Sequence, residues 1–215
     1  TYRREEIMVL LTNFVYGVRP IEKLHDVSYS VDKITVDYLG FPLIKKDITI
    51  SFMGFSMEFF LFLPKSTYKK ASVPLFLHIL NESSMNKYLP VENPDVGFLP
   101  IVRMAERGYG CAVLPTLNVS PDWNHRPNFK KGLFRAIQPD TTDRNNRSWG
   151  NISSWAFGAS RIMDYLETEV DVKHNKVAIS GHSRAGKAAL WAAATDTRFA
   201  LCISTDSGCG GASYL

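Results

Sequence analysis

Two short runs constrain this chain most. Residues 73–80 (VPLFLHIL) and 109–115 (YGCAVLP) are β-rich and almost wholly apolar, so both faces of each run must be covered. That is the pattern of strands inside a parallel sheet with helices on either side. The residues around them fit the same plan. Residues 47–52 (DITISF) alternate apolar and polar, Gly54 marks a break, and 57–64 (MEFFLFLP) runs to Pro64, which predicts an antiparallel hairpin at the sheet edge. A helix is expected over 98–107. A second is expected from Ser153 to about Val170, where Trp155, Ala159, Ile162, Met163, Leu166 and Val170 recur at helical spacing. Strand 176–180 (KVAIS), a Gly-rich turn, a helix over about 184–194 and strand 199–205 (FALCIST) follow. The order β-hairpin, β, α, β, loop, α, β, α, β predicts an α/β fold with a mostly parallel sheet and an antiparallel start. Residues 1–46 read as a helix, with apolar spacing across Ile7, Leu10, Leu11 and Phe14, followed by an irregular wrap; the main domain is expected over 47–215.

Composition narrows the function. The chain has 215 residues, of which 45% are apolar, 12% aromatic and 21% charged, which excludes a disordered tail, a collagen-like repeat and a disulfide miniprotein. No apolar run approaches the roughly 18 residues of a membrane span. Lys and Arg number 25 against 21 Asp and Glu, too small a surplus to argue for nucleic acid. The densest basic stretch (Arg126, Lys130, Lys131, Arg135, Arg144, Arg147) lies in a loop rich in Pro, Asn and Asp and reads as a solvated surface, with an anionic ligand as the alternative. That loop, 115–149, is long enough to be functional or disordered, and it carries Trp123 and Trp149. Cys111, Cys202 and Cys209 have no CxxC spacing, and two of them lie in apolar runs, so buried free thiols are expected. The chain opens on Thr1 with no signal-type apolar region.

The chemistry centres on the turn after strand 176–180, Gly181-His182-Ser183-Arg184-Ala185-Gly186-Lys187-Ala188, between a strand and a helix. One reading is a nucleophile elbow with Ser183 at its apex, although Ala185 stands where G-x-S-x-G has its second Gly. Another is a phosphate-binding loop, matching G-x-x-x-x-G-K-[ST] except that Ala188 lacks the hydroxyl. A third is an ordinary Gly-containing connection.

Gly181-x-Ser183-Arg184-x-Gly186-Lys187, followed by Thr205-Asp206-Ser207-Gly208-Cys209-Gly210-Gly211-Ala212, resembles the glucuronoyl esterases of carbohydrate esterase family 15. Trp149-Gly150-x-Ile152-x-x-Trp155-Ala156-Phe157-Gly158, Arg161, Asp164-Tyr165-Leu166 and Val73-Pro74-Leu75-Phe76-Leu77 resemble the same family. The resemblance implies an α/β-hydrolase fold, incomplete at its C-terminal side, and a secreted or periplasmic enzyme. The implied substrate is the ester between (4-O-methyl-)glucuronic acid of xylan and lignin alcohols. It also implies Ser183 as nucleophile, Arg184 in the oxyanion hole, Lys187 on the glucuronate hydroxyls and Asp206 as triad acid, with a turn or cap role as the alternative for Asp206. No cofactor, metal ion, nucleic acid or membrane partner is expected. An acetyl-xylan or other carbohydrate esterase is the alternative within the enzyme class. From other classes come a nucleotide-binding domain and a non-catalytic carbohydrate binder using Trp123, Trp149 or the basic loop.

A serine esterase needs a histidine base. Of His25, His78, His125, His174 and His182, none stands where the fold puts it, after the last strand. His182 is expected to pack beneath the elbow, His78 to be a hydrogen-bonded core or pocket residue ahead of an oxyanion loop (Asn81-Glu82-Ser83-Ser84), His125 to lie in the long loop, and His25 and His174 to be exposed. The base is expected beyond Leu215.

Overall fold

The structure is a computed structural model that describes residues 2–19, 24–81, 99–123, 126–138 and 144–207. Helix α1 (Tyr2–Leu11) and a π-helical turn (Thr12–Tyr16) lead into strands β1 (Ser28–Val36), β2 (Leu43–Phe52), β3 (Phe55–Pro64) and β4 (Val73–Leu80). Then come α2 (Ile101–Glu106), β5 (Gly110–Pro115), the two-residue strands β6 (Asp122–Trp123) and β7 (Arg126–Pro127), and α3 (Gly132–Ile137). Helix α4 (Asn151–Leu166), β8 (Val172–His182), α5 (Arg184–Thr195) and β9 (Leu201–Thr205) complete the described chain.

Seven strands form one sheet in the order β1-β2-β3-β5-β4-β8-β9. The pairs from β1 through β5 are antiparallel, and β5-β4, β4-β8 and β8-β9 are parallel. This is the expected α/β architecture with an antiparallel start. It differs from expectation at 1–46, where residues read as irregular wrap supply β1. That strand hides from a periodicity search because a register shift between Val31 and Lys33 breaks its alternation. Across the shift, Tyr29, Val31, Ile34 and Val36 all sit opposite residues of one β2 face (Ile50, Ile48, Lys46, Ile44).

Alternation along β4 divides the core. Leu75, Leu77 and Ile79 face α4 and α5 with Val177 and Ile179 of β8, whereas Leu80 belongs to a smaller cluster with Cys111, Val113 and the α2 residues Ile101 and Val102. The α4 stripe holds as far as Leu166, but Val170 lies past the helix end and is 81% exposed. Cys111 is buried and burial pushes its thiol pKa up; Cys202 is a half-buried free thiol, and Cys209 lies outside the described residues. Among the described residues no helix is long and apolar enough to cross a membrane.

The long loop contributes to the core. Trp149 is fully buried against Phe134 and Phe157, which removes it as one of the sugar-binding groups offered by the carbohydrate-binding alternative; the Trp123 side chain lies outside those described. Its burial follows from the aromatic density of α3 and α4, which a loop composition does not reveal. Of the basic stretch, Lys130, Lys131, Arg135 and Arg147 are exposed as expected. Arg144 is the exception: its guanidinium lies 3.5 Å from the Phe129 ring centroid and donates to the Trp149 carbonyl.

Two buried polar features fix the ends of this scaffold. Lys46 of β2 is 2.9 Å from Glu169 and 3.5 Å from Asp171, both in the α4–β8 connection. The Tyr165 hydroxyl donates to Glu169 at 2.8 Å, and the Lys69 amide donates to Asp171 at 2.6 Å. Burial raises the Glu169 pKa, but the hydrogen bonds from Lys46 and Tyr165 and the Lys46 charge outweigh it and hold the carboxyl below its ordinary range. On β4, His78 is buried with Nδ1 3.0 Å from the Ser180 hydroxyl, and burial, then the charge of His182, push its pKa down to about 4.

Lys46→Met leaves two buried carboxylates without their cation and should cost roughly 3–5 kcal/mol in urea unfolding; a loss under about 1 kcal/mol contradicts the account. The Glu169 contribution is present above its unfolded pKa of about 4.3 and lost as pH falls through the lower folded value. His78 acts at higher pH. Its folded pKa lies below its unfolded value of about 6.5, so stability is full above that pH and declines by on the order of 3 kcal/mol as pH falls towards 4. In His78→Gln that decline should flatten, as read from midpoints at stepped pH.

Candidate functional site

Strand β8 turns into α5 through Ser183, whose backbone sits at φ 58°, ψ −132°. A non-glycine residue there is strained, and such strain persists only where neighbouring contacts enforce it. The enforcing contacts are close. A Cβ at Gly181 would strike the Ala185 carbonyl, and one at Gly186 would come within 3.0 Å of the Gly181 carbonyl and 3.1 Å of the Ser207 hydroxyl and Thr205 carbonyl. The helix therefore lies directly against the strand ends. This places the second glycine at 186 rather than 185: Ala185 is fully buried, and it is the residue after it that meets the strand backbone.

The turn is tied on both sides. The Ser183 amide donates to the Thr205 carbonyl of β9 at 2.9 Å, and Asn81, at the end of β4, donates through Nδ2 to the His182 carbonyl at 2.9 Å. Asn81 is the part of the expected oxyanion loop that can be placed; Glu82, Ser83 and Ser84 lie outside the described residues. Ser183 is the N-cap of α5, yet its side chain makes no capping hydrogen bond. Its hydroxyl is not spent on the helix.

The same contacts remove the phosphate-loop alternative. The amides of Gly186 and Lys187 donate to the Ser183 carbonyl at 2.8 and 3.3 Å, and that of Ser183 to Thr205. A phosphate cradle needs such amides turned toward the anion. Here α5 begins directly at Arg184, and no Gly-rich loop separates strand from helix. The near match to the motif comes from two glycines selected by helix–strand contact.

Arg184 and Lys187 both lie on the first turn of α5, and Lys187 is half-buried. The Arg184 Nε is 2.9 Å from the Asp122 carboxylate, which is 7% exposed. Asp122 is a site residue that sequence reasoning missed: it belongs to a two-residue strand in a long loop, 62 positions from Arg184, and no spacing signals the pairing. Asp206 follows β9 with φ 45° and a side chain 84% exposed; its carboxylate is 3.5 Å from His182 Nε2. His182 is half-exposed rather than packed beneath the turn. It shares a sheet face with Phe76, His78, Ser180 and Thr205, which line a cavity of about 520 Å³ together with Tyr109. Ser183 does not line that cavity. His25 and His174 are exposed, His25 beside Asp26, and His125 lies outside the described residues. Among the described residues no group of three His, Cys, Asp or Glu side chains has metal-holding geometry.

Comparison with known proteins identifies the family. A family model described as "Glucuronyl esterase, fungi" matches residues 132–215. Carbohydrate esterase MZ0003 from an unknown prokaryotic organism is 34% identical, over 98% of this chain and 54% of its own length. Among solved structures, a glucuronoyl esterase from Solibacter usitatus has a TM-score of 0.83 at 30% identity and covers 99% of this chain, which in turn covers 60% of it. A promiscuous CE15 esterase from a marine bacterial metagenome has a TM-score of 0.73 at 32% identity, with 97% and 58% covered. The chain thus spans a little over half the length of these relatives. Sequence identity of 30% or more over nearly the whole chain and the shared fold show that the chain belongs to carbohydrate esterase family 15, the glucuronoyl esterases.

Proposed function

We propose that this chain carries the nucleophile side of a serine esterase that hydrolyses the ester between (4-O-methyl-)glucuronate of xylan and lignin alcohols. The observation that carries the reading is the strained Ser183 backbone with a hydroxyl released from helix capping. Ser183 Oγ attacks the uronate carbonyl and gives up its proton. The amide and guanidinium of Arg184, at the positive end of α5, meet the oxyanion of the tetrahedral intermediate. The intermediate collapses to a glucuronoyl-serine ester and releases the alcohol, which takes up the proton; water then attacks the acyl-enzyme, giving free glucuronate and restoring Ser183. Lys187, one helical turn on, hydrogen-bonds the sugar hydroxyls.

The general base is assigned to none of the placed histidines. His78 faces Ser180, His182 lines a cavity that Ser183 does not line, and His25 and His174 are on the surface. The reading places it in the part of the relatives' length that this chain does not span. Asp206 is kept as the triad acid: it stands at the end of the strand beside β8, and its carboxylate, exposed beside His182, leaves room for a further imidazole. A secreted or periplasmic setting goes with a polymeric plant cell-wall substrate.

In the full-length protein, Ser183→Ala should reduce hydrolysis of benzyl glucuronate by at least about 10³-fold while leaving the thermal midpoint near that of the parent. Retained turnover contradicts the nucleophile assignment. A parent protein that cleaves acetyl esters but leaves benzyl glucuronate intact keeps the mechanism and moves the substrate to the other carbohydrate esterases.

A further inference from the structure

The proposed oxyanion group, Arg184, is a long side chain with considerable rotamer freedom, and a cation that must find its place during each turnover stabilises charge poorly. Resting on the serine-esterase reading above, we propose that Asp122 is the positioning residue for Arg184, holding its guanidinium beside Ser183 before substrate arrives.

The segment leading to Asp122 is built into the scaffold. The Trp155 indole N–H donates to the Ser120 carbonyl at 3.0 Å, and the Ser120 hydroxyl bonds that of Ser154 on α4. The Leu133 amide donates to the Val119 carbonyl at 2.8 Å, and Val119 and Ser120 are fully buried. Two residues later the Asp122 carboxylate, 7% exposed, meets Arg184 Nε at 2.9 Å. A carboxylate this deeply buried is held by a charge partner, and Arg184 is the partner it approaches. The approach is an ion pair at Nε, on the stem side of the guanidinium, which holds the charge near the helix start.

Asp122 exerts two opposed effects. Its negative charge weakens the field that Arg184 offers a developing oxyanion, whereas its position removes the search for the productive rotamer. The inference is that positioning dominates, because misplacing an oxyanion donor by about 1 Å costs on the order of 10²-fold.

The test uses full-length protein with benzyl glucuronate. Asp122→Asn should lower kcat roughly 10- to 100-fold with KM little changed, since it removes transition-state contact only. Asp122→Glu, which keeps the charge on a longer stem, should recover part of that loss. In an Arg184→Ala background Asp122→Asn should add little further loss, a non-additivity that a merely structural role does not give. A kcat for Asp122→Asn equal to or above the parent, or additive losses in the double variant, overturns the proposal. Should Asp122→Asn fail to fold, Asp122→Glu decides: a severalfold loss of kcat that disappears in the Arg184→Ala background supports positioning, and a parent-like kcat, or a loss that persists unchanged in that background, overturns it. Ser183→Ala run alongside separates the two readings. If it is inactive while Asp122→Asn is not impaired, the esterase stands without this role; if it is active, both fall.

Discussion

The contact on which the site depends is the approach of α5 to the ends of β8 and β9. Gly181 lies under the Ala185 carbonyl, and Gly186 lies against Gly181, Thr205 and Ser207. A Cβ at Gly181 would meet backbone at 2.3 Å, and one at Gly186 would need its neighbours to give by a few tenths of an ångström. With helix and strand so close, the one residue between them has to reverse the chain in a single step, and Ser183 takes positive φ to do it. The strain therefore follows from packing. Neighbouring parallel strands hold the turn from both sides, β9 through Thr205 and β4 through Asn81, so the site is assembled at the carboxyl ends of adjacent parallel strands.

Among the described residues, buried charge is used in two different ways. At Lys46, Glu169 and Asp171 it clamps β2 to the α4–β8 connection, far along the strands from the turn. At Asp122 and Arg184 it joins the long loop to the first turn of α5. In both cases a carboxylate is nearly removed from water and is tolerable because a cation lies against it; at Glu169 the Tyr165 hydroxyl adds a hydrogen bond. The loop between β5 and α4 serves the site by being packed: Trp149, Trp155, Ser120 and Val119 anchor it, and Asp122 emerges from that anchor.

Much of the fold is legible in the sequence because burial on both faces leaves a strong signal. Strand 73–80 is read to the residue, and 109–115, the 47–64 hairpin, helix 184–194 and strand 199–205 lie within a few positions of their observed ends. The failures have local causes. Strand β1 is masked by its bulge, Val170 continues a helical spacing after the helix has stopped, and Trp149 looks like a loop tryptophan until α3 and α4 close over it. Within the site, the turn and its glycines are visible because they are contiguous. Asp122 is not, since what makes it relevant is a contact across 62 positions that no local pattern encodes; Asn81 is named with the expected oxyanion loop, but its bond to His182 across 101 positions is not.

The central claim is that Ser183 is the residue that becomes acylated. Full-length protein treated with a fluorophosphonate, digested and mapped by mass spectrometry, tests it directly. The account predicts one adduct, on the peptide containing Ser183, formed in step with loss of benzyl glucuronate hydrolysis. Complete inactivation with the adduct on another residue, or full activity with Ser183 modified, would contradict it.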